Sequence, residues 1–283
     1  MQLLVDGIEI YAGTGGRECD PKLPLVVFLH GAGLDHSVWA LLARWFAHRG
    51  CAVLAPDLPG HSRSQGAPLD SIAAMADWTA ALIEASGANT GTVIGHSMGS
   101  LIALDVAGRH PTHVKAIGLV GAAAAIPVAP QLLAAAKLNA HQAVDMICIW
   151  GYGYRAGIGG SLAPGLWMRG GAERLLERAP PGLLFTDLSA CNDYRDGASS
   201  AANVRVPVIL VLGERDLMTP AKTGRELARS LPNARVLVLK GAGHMLMSER
   251  PDEVLDALRP LASDAGAANS DHRSQRVIMV SKM

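Results

Sequence analysis

The sequence predicts an α/β fold, a mostly parallel sheet with helices on both faces. Short continuous apolar runs rich in β-branched residues recur along the chain, and segments with apolar residues at helical spacing separate them. Continuous apolar runs, as opposed to alternating ones, mark strands buried on both faces, and such strands need helices on either side. With 283 residues, 49% of them hydrophobic, the chain can bury one large core with room for an insertion.

The elements follow in order. LLVDGIEIYAG reads as a strand or hairpin at the sheet edge, and PLVVFLH as a buried strand closed by glycine. SVWALLARWFAHRG has helical spacing, with Ser37 as the expected N-cap and a glycine at its end. CAVLAPDLPG is strand then turn, and a helix capped by Asp70 or Ser71 should run over about residues 70–86. TGTVIGH is the next strand, SMGSLIALDVAGRH a helix and VKAIGLVG a strand. The rhythm resumes late with PVILVLGERD (strand), TPAKTGRELARSLP (helix), ARVLVLKGAGH (strand) and SERPDEVLDALRPL (helix). Residues 122–205, rich in Ala, Gly and Leu, lack clear β-α-β units and read as a mostly helical cap. The cap would interrupt a core made of residues 1–121 and 206–262. Residues 263–283 are small, polar and aperiodic, as expected of a flexible tail.

Bulk properties narrow the function. Acidic and basic residues balance at 25 each, and aromatics are few, so neither nucleic acid nor an anionic membrane surface is an expected partner. No apolar stretch reaches the roughly 20 residues of a membrane span, and the N-terminus lacks a signal-peptide pattern. Cys19, Cys51, Cys148 and Cys191 are widely spaced, and no H-E-x-x-H occurs, so neither a metal nor an organic cofactor is expected. These features point to a soluble cytoplasmic protein with reduced thiols, a monomer or homodimer.

The sharpest signal is Gly95-His96-Ser97-Met98-Gly99, a G-x-S-x-G between a strand and a helix. A tight strand-to-helix turn strains the serine backbone, exposes its hydroxyl and demands small neighbours. Ser97 is the expected nucleophile, with the Met98 N–H as an oxyanion donor at a helix start. A serine needs a base, and His244 in KGAGHMLMSERP follows the last strand with glycines that let its loop reach across the strand ends. The acid that orients it should lie between them in the chain; Asp216 is preferred to Glu214 because it sits slightly further past its strand. In His30-Gly31-Ala32-Gly33 the Ala32 N–H is the expected second oxyanion donor, with Gly33 as runner-up. His30 and His96 are expected to hold structure together.

HGAGLDHSVW, APDLPGHSRS, GHSMGS, GERDLMTP and GAGHMLMSERPDEV occur in this order. Together they resemble the α/β-hydrolase family, in the capped branch of esterases, lactonases and C–C bond hydrolases, over about residues 3–262 apart from the cap. The resemblance implies an α/β-hydrolase fold with an eight-stranded, mostly parallel sheet and a triad carried by Ser97, Asp216 and His244. It also implies a structural turn containing Asp57, Gly60 and Ser64, with no role assigned to His61. A serine at the elbow sets aside haloalkane dehalogenases and the related epoxide hydrolases, which carry aspartate there. Cofactor-free oxygenases and hydroxynitrile lyases stay open. The expected reaction is acyl transfer to water from a small, largely apolar ester, thioester or lactone. A C–C bond hydrolase acting on a diketone-like substrate and a hydrolase-derived small-molecule receptor are the alternatives.

The pocket is expected to include Gly31, Gly33, Trp150, Tyr154, Trp167 and Met245, under an apolar roof to which Tyr152, Met168 and Phe185 also contribute. Trp39 should pack near the pocket floor or a helix start. Gly151, Gly153, Gly157, Gly159 and Gly160 suggest a flexible cap segment that gates access.

Overall fold

A computed structural model describes residues 1–160 and 167–263. The chain opens with a hairpin, β1 (Gln2–Val5) and β2 (Ile8–Gly13), turned by Asp6 and Gly7, both at positive φ as a two-residue hairpin turn requires. There follow β3 (Leu25–Leu29), α1 (Ala40–Ala47), β4 (Ala52–Pro56), α2 (Ile72–Ala85), β5 (Gly91–His96), α3 (Met98–Arg109) and β6 (Val114–Val120). Six helices come next among the described residues: α4 (Pro130–Lys137), α5 (Gln142–Trp150), α6 (Tyr154–Gly157), α7 (Met168–Leu176), α8 (Leu183–Asp193) and α9 (Gly197–Asn203). The core then resumes with β7 (Val208–Gly213), α10 (Ala221–Arg229), β8 (Ala234–Leu239), α11 (Leu246–Glu249), α12 (Pro251–Leu258) and α13 (Pro260–Ser263).

The eight strands form one sheet in the order β1-β2-β4-β3-β5-β6-β7-β8. The pairs β1–β2 and β2–β4 are antiparallel and the others parallel. Within β3, Val26 and Phe28 join the apolar layer of α1 and α12, while Val27 and Leu29 join that of α2 and α3. Both faces are thus buried, which is why such strands read as unbroken apolar runs. Between β3 and β5 the topology switches: the chain leaves β3 toward β4 on one side and leaves β5 toward β6 on the other. Loops leaving two such strands diverge, and the crevice between them is where an open parallel sheet binds ligands.

Local capping differs from expectation at α1. Asp35, not Ser37, caps this segment, its carboxylate accepting the Ser37 N–H (2.8 Å), and a 3₁₀ turn, His36–Trp39, precedes the α-helix. Trp39 ends that turn at the start of α1, fully buried against Phe28 with ring centroids 5.1 Å apart, and does not line the cavity described below. At α2 the Ser71 side chain caps as expected, accepting the Ala74 N–H.

The stretch between β6 and β7 returns to the core through α9, which packs along α3. A Cβ at Gly108 would come within 2.7 Å of the Ser200 carbonyl, so glycine permits this approach. A buried polar cluster secures it: Asp105 accepts from the Tyr194 hydroxyl (2.8 Å), the Ser200 hydroxyl (2.8 Å) and Arg109 Nε (2.7 Å). Among the described residues no helix is long and apolar enough to cross a membrane. All four cysteines are free thiols. Apart from Ser263, which ends α13, the expected flexible tail lies outside the described residues.

Removing the Asp105 carboxylate strands three buried or half-buried donors. Asp105→Ala should lower unfolding free energy by about 2–4 kcal/mol, and Tyr194→Phe by about 1 kcal/mol. Urea denaturation checks both, and an Asp105→Ala midpoint equal to wild type would show that the cluster does not hold the two helices together.

Candidate active site

Ser97 stands between the end of β5 and the first turn of α3, at φ 55° and ψ −116°. A non-glycine residue rarely adopts such a backbone, and the surroundings enforce it. A Cβ at Gly95 would lie 1.9 Å from the Gly99 carbonyl oxygen, and one at Gly99 would lie 2.3 Å from the Leu29 carbonyl oxygen. Only glycine lets α3 start this close to β5 and β3. The Ser97 N–H is held by the Val120 carbonyl (3.0 Å). The next N–H, that of Met98, is the first of α3 and has no partner within the helix.

Further strand ends converge here. Asp216 lies just past β7, and its Oδ2 sits 2.8 Å from His244 Nδ1 in the loop after β8. The carboxylate is fixed on all sides: Oδ1 accepts the Met218 and Thr219 N–H groups (2.8 Å each), and Oδ2 accepts the Thr219 hydroxyl (2.7 Å). Burial alone would push the Asp216 carboxyl up, but His244 and the Thr219 donors outweigh it and hold it below the usual carboxylate range. Glu214, the rival acid, is spent elsewhere, accepting the Gly241 N–H (2.9 Å). His244 Nε2 is buried with no hydrogen-bond partner among the described residues. Such a nitrogen can take a proton from a hydroxyl.

Thr219 and Gly121, both against His244, were not singled out from the sequence. The Thr219 hydroxyl, 3.1 Å from His244 Nδ1, braces the His–Asp pair; its place three residues after the acid, in DLMTP, is the one available signal. Gly121, after β6, is at φ 59°, and a Cβ there would sit 3.1 Å from the His244 ring, so glycine makes room for the imidazole.

The loop after β3 forms the other wall. His30 ties it down: Nδ1–H donates to the Gly31 carbonyl (2.9 Å) and Nε2 accepts the Leu58 N–H (3.2 Å). Burial, then neighbouring His61, pushes the His30 imidazole down to about 4, so it stays neutral. His96 also serves structure, its Nε2–H donating to the His244 carbonyl (2.9 Å). Burial, then His244, pushes His96 down to about 3. A Cβ on Gly31 would come within 3.3 Å of the Ser97 Cβ, so the loop runs directly beside the serine. The Gly33 N–H donates to Asp187 (2.8 Å), which removes the runner-up oxyanion donor. The Ala32 N–H has no partner among the described residues.

Gly31, Ala32, His96, Ser97 and His244 line a cavity of about 120 Å³. Its remaining walls are apolar: Ile126, Val128, Leu132, Ile147, Trp150, Leu188, Cys191, Met218 and Met245. Trp150, Met245 and Gly31 are therefore among its lining residues. Tyr154 and Trp167 are not: they are 81% and 69% exposed, at the starts of the short helices α6 and α7. The Trp167 ring lies across Gly170 and away from the cavity. Gly33 faces a separate neighbouring cavity with Ser62, Arg63 and Arg178. Tyr152 is held inside the helical layer, its hydroxyl donating to the Met168 carbonyl (2.9 Å), and Trp150 is the aromatic residue in the cavity wall.

Two glycines of the expected gating segment, Gly151 and Gly153, are tied to the histidine loop. The Gly151 carbonyl accepts the His244 and Met245 N–H groups (2.8 and 2.9 Å). Glu249 accepts the Gly153 N–H (3.1 Å) and the Gly243 N–H (2.9 Å). A Cβ at Gly153 would meet the Gly241 carbonyl at 2.4 Å, so glycine permits this close packing, while Gly157 and Gly159 have open space where a Cβ would stand. Two groups of potential metal ligands occur among the described residues, Asp35–His36–Asp57 and His141–Glu173–Glu177. Neither lines the cavity at Ser97, and Asp57 is already engaged by His36 and Arg63.

The chain is similar to known proteins along most of its length. A pimeloyl-[acyl-carrier protein] methyl ester esterase of Chromobacterium violaceum is 31% identical over 250 residues, 83% of this chain and 92% of that protein. One of the same name from Aromatoleum aromaticum is 30% identical, over 81% of this chain and 94% of that protein. Among solved structures, the enol-lactonase of Burkholderia xenovorans LB400 superposes with a TM-score of 0.81 at 21% identity, over 93% of this chain and all of that one. That likeness speaks to the fold. The sequence profile described as the alpha/beta hydrolase family matches residues 26–257, and with relatives of this identity over nearly their full length the chain belongs to that family.

Proposed function

We propose that the chain is a carboxylic-ester hydrolase that works through an acyl-enzyme on Ser97. One observation carries the reading: the strained Ser97 and the buried His244–Asp216 pair open on one apolar cavity. Ser97 Oγ attacks the ester carbonyl while His244 Nε2 takes its proton. The Ala32 and Met98 N–H groups hold the oxyanion, and Asp216 steadies the imidazolium. His244 then protonates the departing alcohol, the acyl-enzyme forms, and His244 draws a proton from water to release the acid. The near-full-length relatives named as methyl ester esterases support a small alcohol as leaving group.

The cavity describes the acyl group. At about 120 Å³ it is slightly smaller than the roughly 150 Å³ apolar cavity that holds benzene, and apart from the two imidazoles its lining carries no ionisable nitrogen or oxygen. A short, uncharged acyl chain fits. The four free thiols support a cytoplasmic setting, with the protein acting as a monomer or homodimer on a small substrate and water.

Wild type should hydrolyse p-nitrophenyl esters of about two to four acyl carbons at least tenfold better in kcat/KM than the ester of ten, given a cavity of this size. Ser97→Ala should abolish both turnover and labelling by a fluorophosphonate. Strong labelling with negligible ester turnover would keep the nucleophile and discard the ester. A folded protein that neither labels nor hydrolyses would discard both.

The bracing of the pair has its own test. Asp216→Asn should lower kcat on the order of 10³–10⁴-fold, and Thr219→Val roughly tenfold with KM little changed, since the hydroxyl touches the pair and not the cavity. Steady-state kinetics on the acetate ester separates these. A Thr219→Val enzyme with wild-type kcat would show that the hydroxyl does not orient the acid.

A further inference from the structure

Asp187 lies on α8 and is fully buried. A single oxygen, Oδ2, meets both the Gly33 N–H (2.8 Å) and His61 Nε2 (2.9 Å). The other ring nitrogen of His61, Nδ1, is 3.1 Å from the Pro59 carbonyl, an acceptor that only an N–H can satisfy. Both nitrogens therefore face acceptors, and the imidazole holds both protons. A cation from the core and an anion from the helical layer meet in the interior, beside the loop that carries the Ala32 N–H. A buried pair of this kind costs desolvation, so stability alone does not account for it.

The backbone supplies that use. The Leu34 N–H donates to the Gly31 carbonyl (3.2 Å) and closes a four-residue turn. Gly33 is at φ 67°, while Ala32 is not among the positive-φ residues, which makes the turn type II. Its central peptide directs the Gly33 N–H outward, onto Asp187. Reversing that peptide, as in a type I turn, would turn the Ala32 carbonyl toward the carboxylate, and the two oxygens would repel. The preceding peptide plane is held as well: the Gly31 carbonyl accepts from His30 Nδ1–H and from Leu34 N–H. In a trans peptide the N–H points opposite to the carbonyl, so fixing the Gly31 oxygen fixes the direction of the Ala32 N–H.

We propose that Asp187 is a positioning residue for the oxyanion hole: paired with His61, it locks the turn at residues 31–34 in the form that presents the Ala32 N–H to the reacting carbonyl. The inference rests on the ester-hydrolase reading above. The same helix lines the acyl cavity through Leu188 and Cys191, so one rigid element contacts both the acyl group and the oxyanion turn.

The test compares wild type, Asp187→Asn and Asp187→Ala, with thermal melts to establish folding. Three quantities are read: kcat and KM on p-nitrophenyl acetate, and the affinity of a short-chain trifluoromethyl ketone, whose tetrahedral adduct places an oxyanion in the hole. Asp187→Ala should lose on the order of 10–100-fold in kcat, with KM within about threefold, and ketone affinity should fall in step with kcat/KM. Asparagine still offers an oxygen to the Gly33 N–H, and its near-identical shape keeps the fold; that variant should recover at least tenfold over alanine in a severe case and stand between alanine and wild type in any case. Folded variants with wild-type kcat overturn the proposal. So does a loss of kcat that leaves ketone affinity unchanged, which would mark a merely structural role. An inactive, unlabelled wild type overturns the ester-hydrolase reading and takes the proposal with it.

Discussion

A strand has to end and a helix begin within one residue, and the rest of the site depends on that constraint. At Ser97 the backbone enters a region that side-chain-bearing residues avoid, and α3 crowds so closely on β5 and β3 that Gly95 and Gly99 have no room for a Cβ. This closeness presents the serine hydroxyl and the first free N–H of α3 at the same place. It also happens beside the switch between β3 and β5, where the neighbouring loop turns away and leaves a crevice. The sheet thus selects the location, and the steric squeeze supplies the reactive geometry.

Around the serine, buried imidazoles are sorted by the acceptors and donors they meet. His30 faces one acceptor and one donor, so it holds one proton and clamps the loop. His96 donates to a carbonyl and stays neutral in an apolar setting. His61 faces acceptors on both sides. Burial works against its charge, but the Asp187 carboxylate outweighs burial and raises its pKa. Identical side chains within a few ångströms thereby take different protonation states, and backbone carbonyls decide most of them.

Much of this was legible in the sequence, for physical reasons that differ by element. Parallel strands buried on both faces announce themselves as apolar runs, so β3, β5 and β6 could be placed closely, whereas the runs read for β7 and for the half-exposed edge strand β8 extend past the strand ends at Gly213 and Leu239. The elbow glycines were legible because the steric requirement is local. The choice of Asp216 over Glu214 followed from distance past a strand end, which geometry translates directly into reach. The helical stretch between β6 and β7 was different. Tyr154 and Trp167 looked like pocket residues because aromatics favour ligand sites, yet each begins a short helix that turns it outward. No local pattern tells which face of a helix looks down on a sheet when the helices pack mainly on one another. Thr219, Gly121 and Asp187 escaped for a related reason, since each acts across a contact between segments far apart in the chain.

The bond from the Gly151 carbonyl to the His244 and Met245 N–H groups, with Glu249 joining Gly153 to Gly243, has a consequence for how such proteins diversify. The helical insertion is not an interchangeable hat over a self-sufficient engine. It supplies the acceptors that seat the histidine loop, and through Asp187 it grips the opposite wall. Transplanting a foreign insertion to change substrate range would disturb the seating of the histidine loop along with the shape of the pocket, unless these few anchors travelled with it.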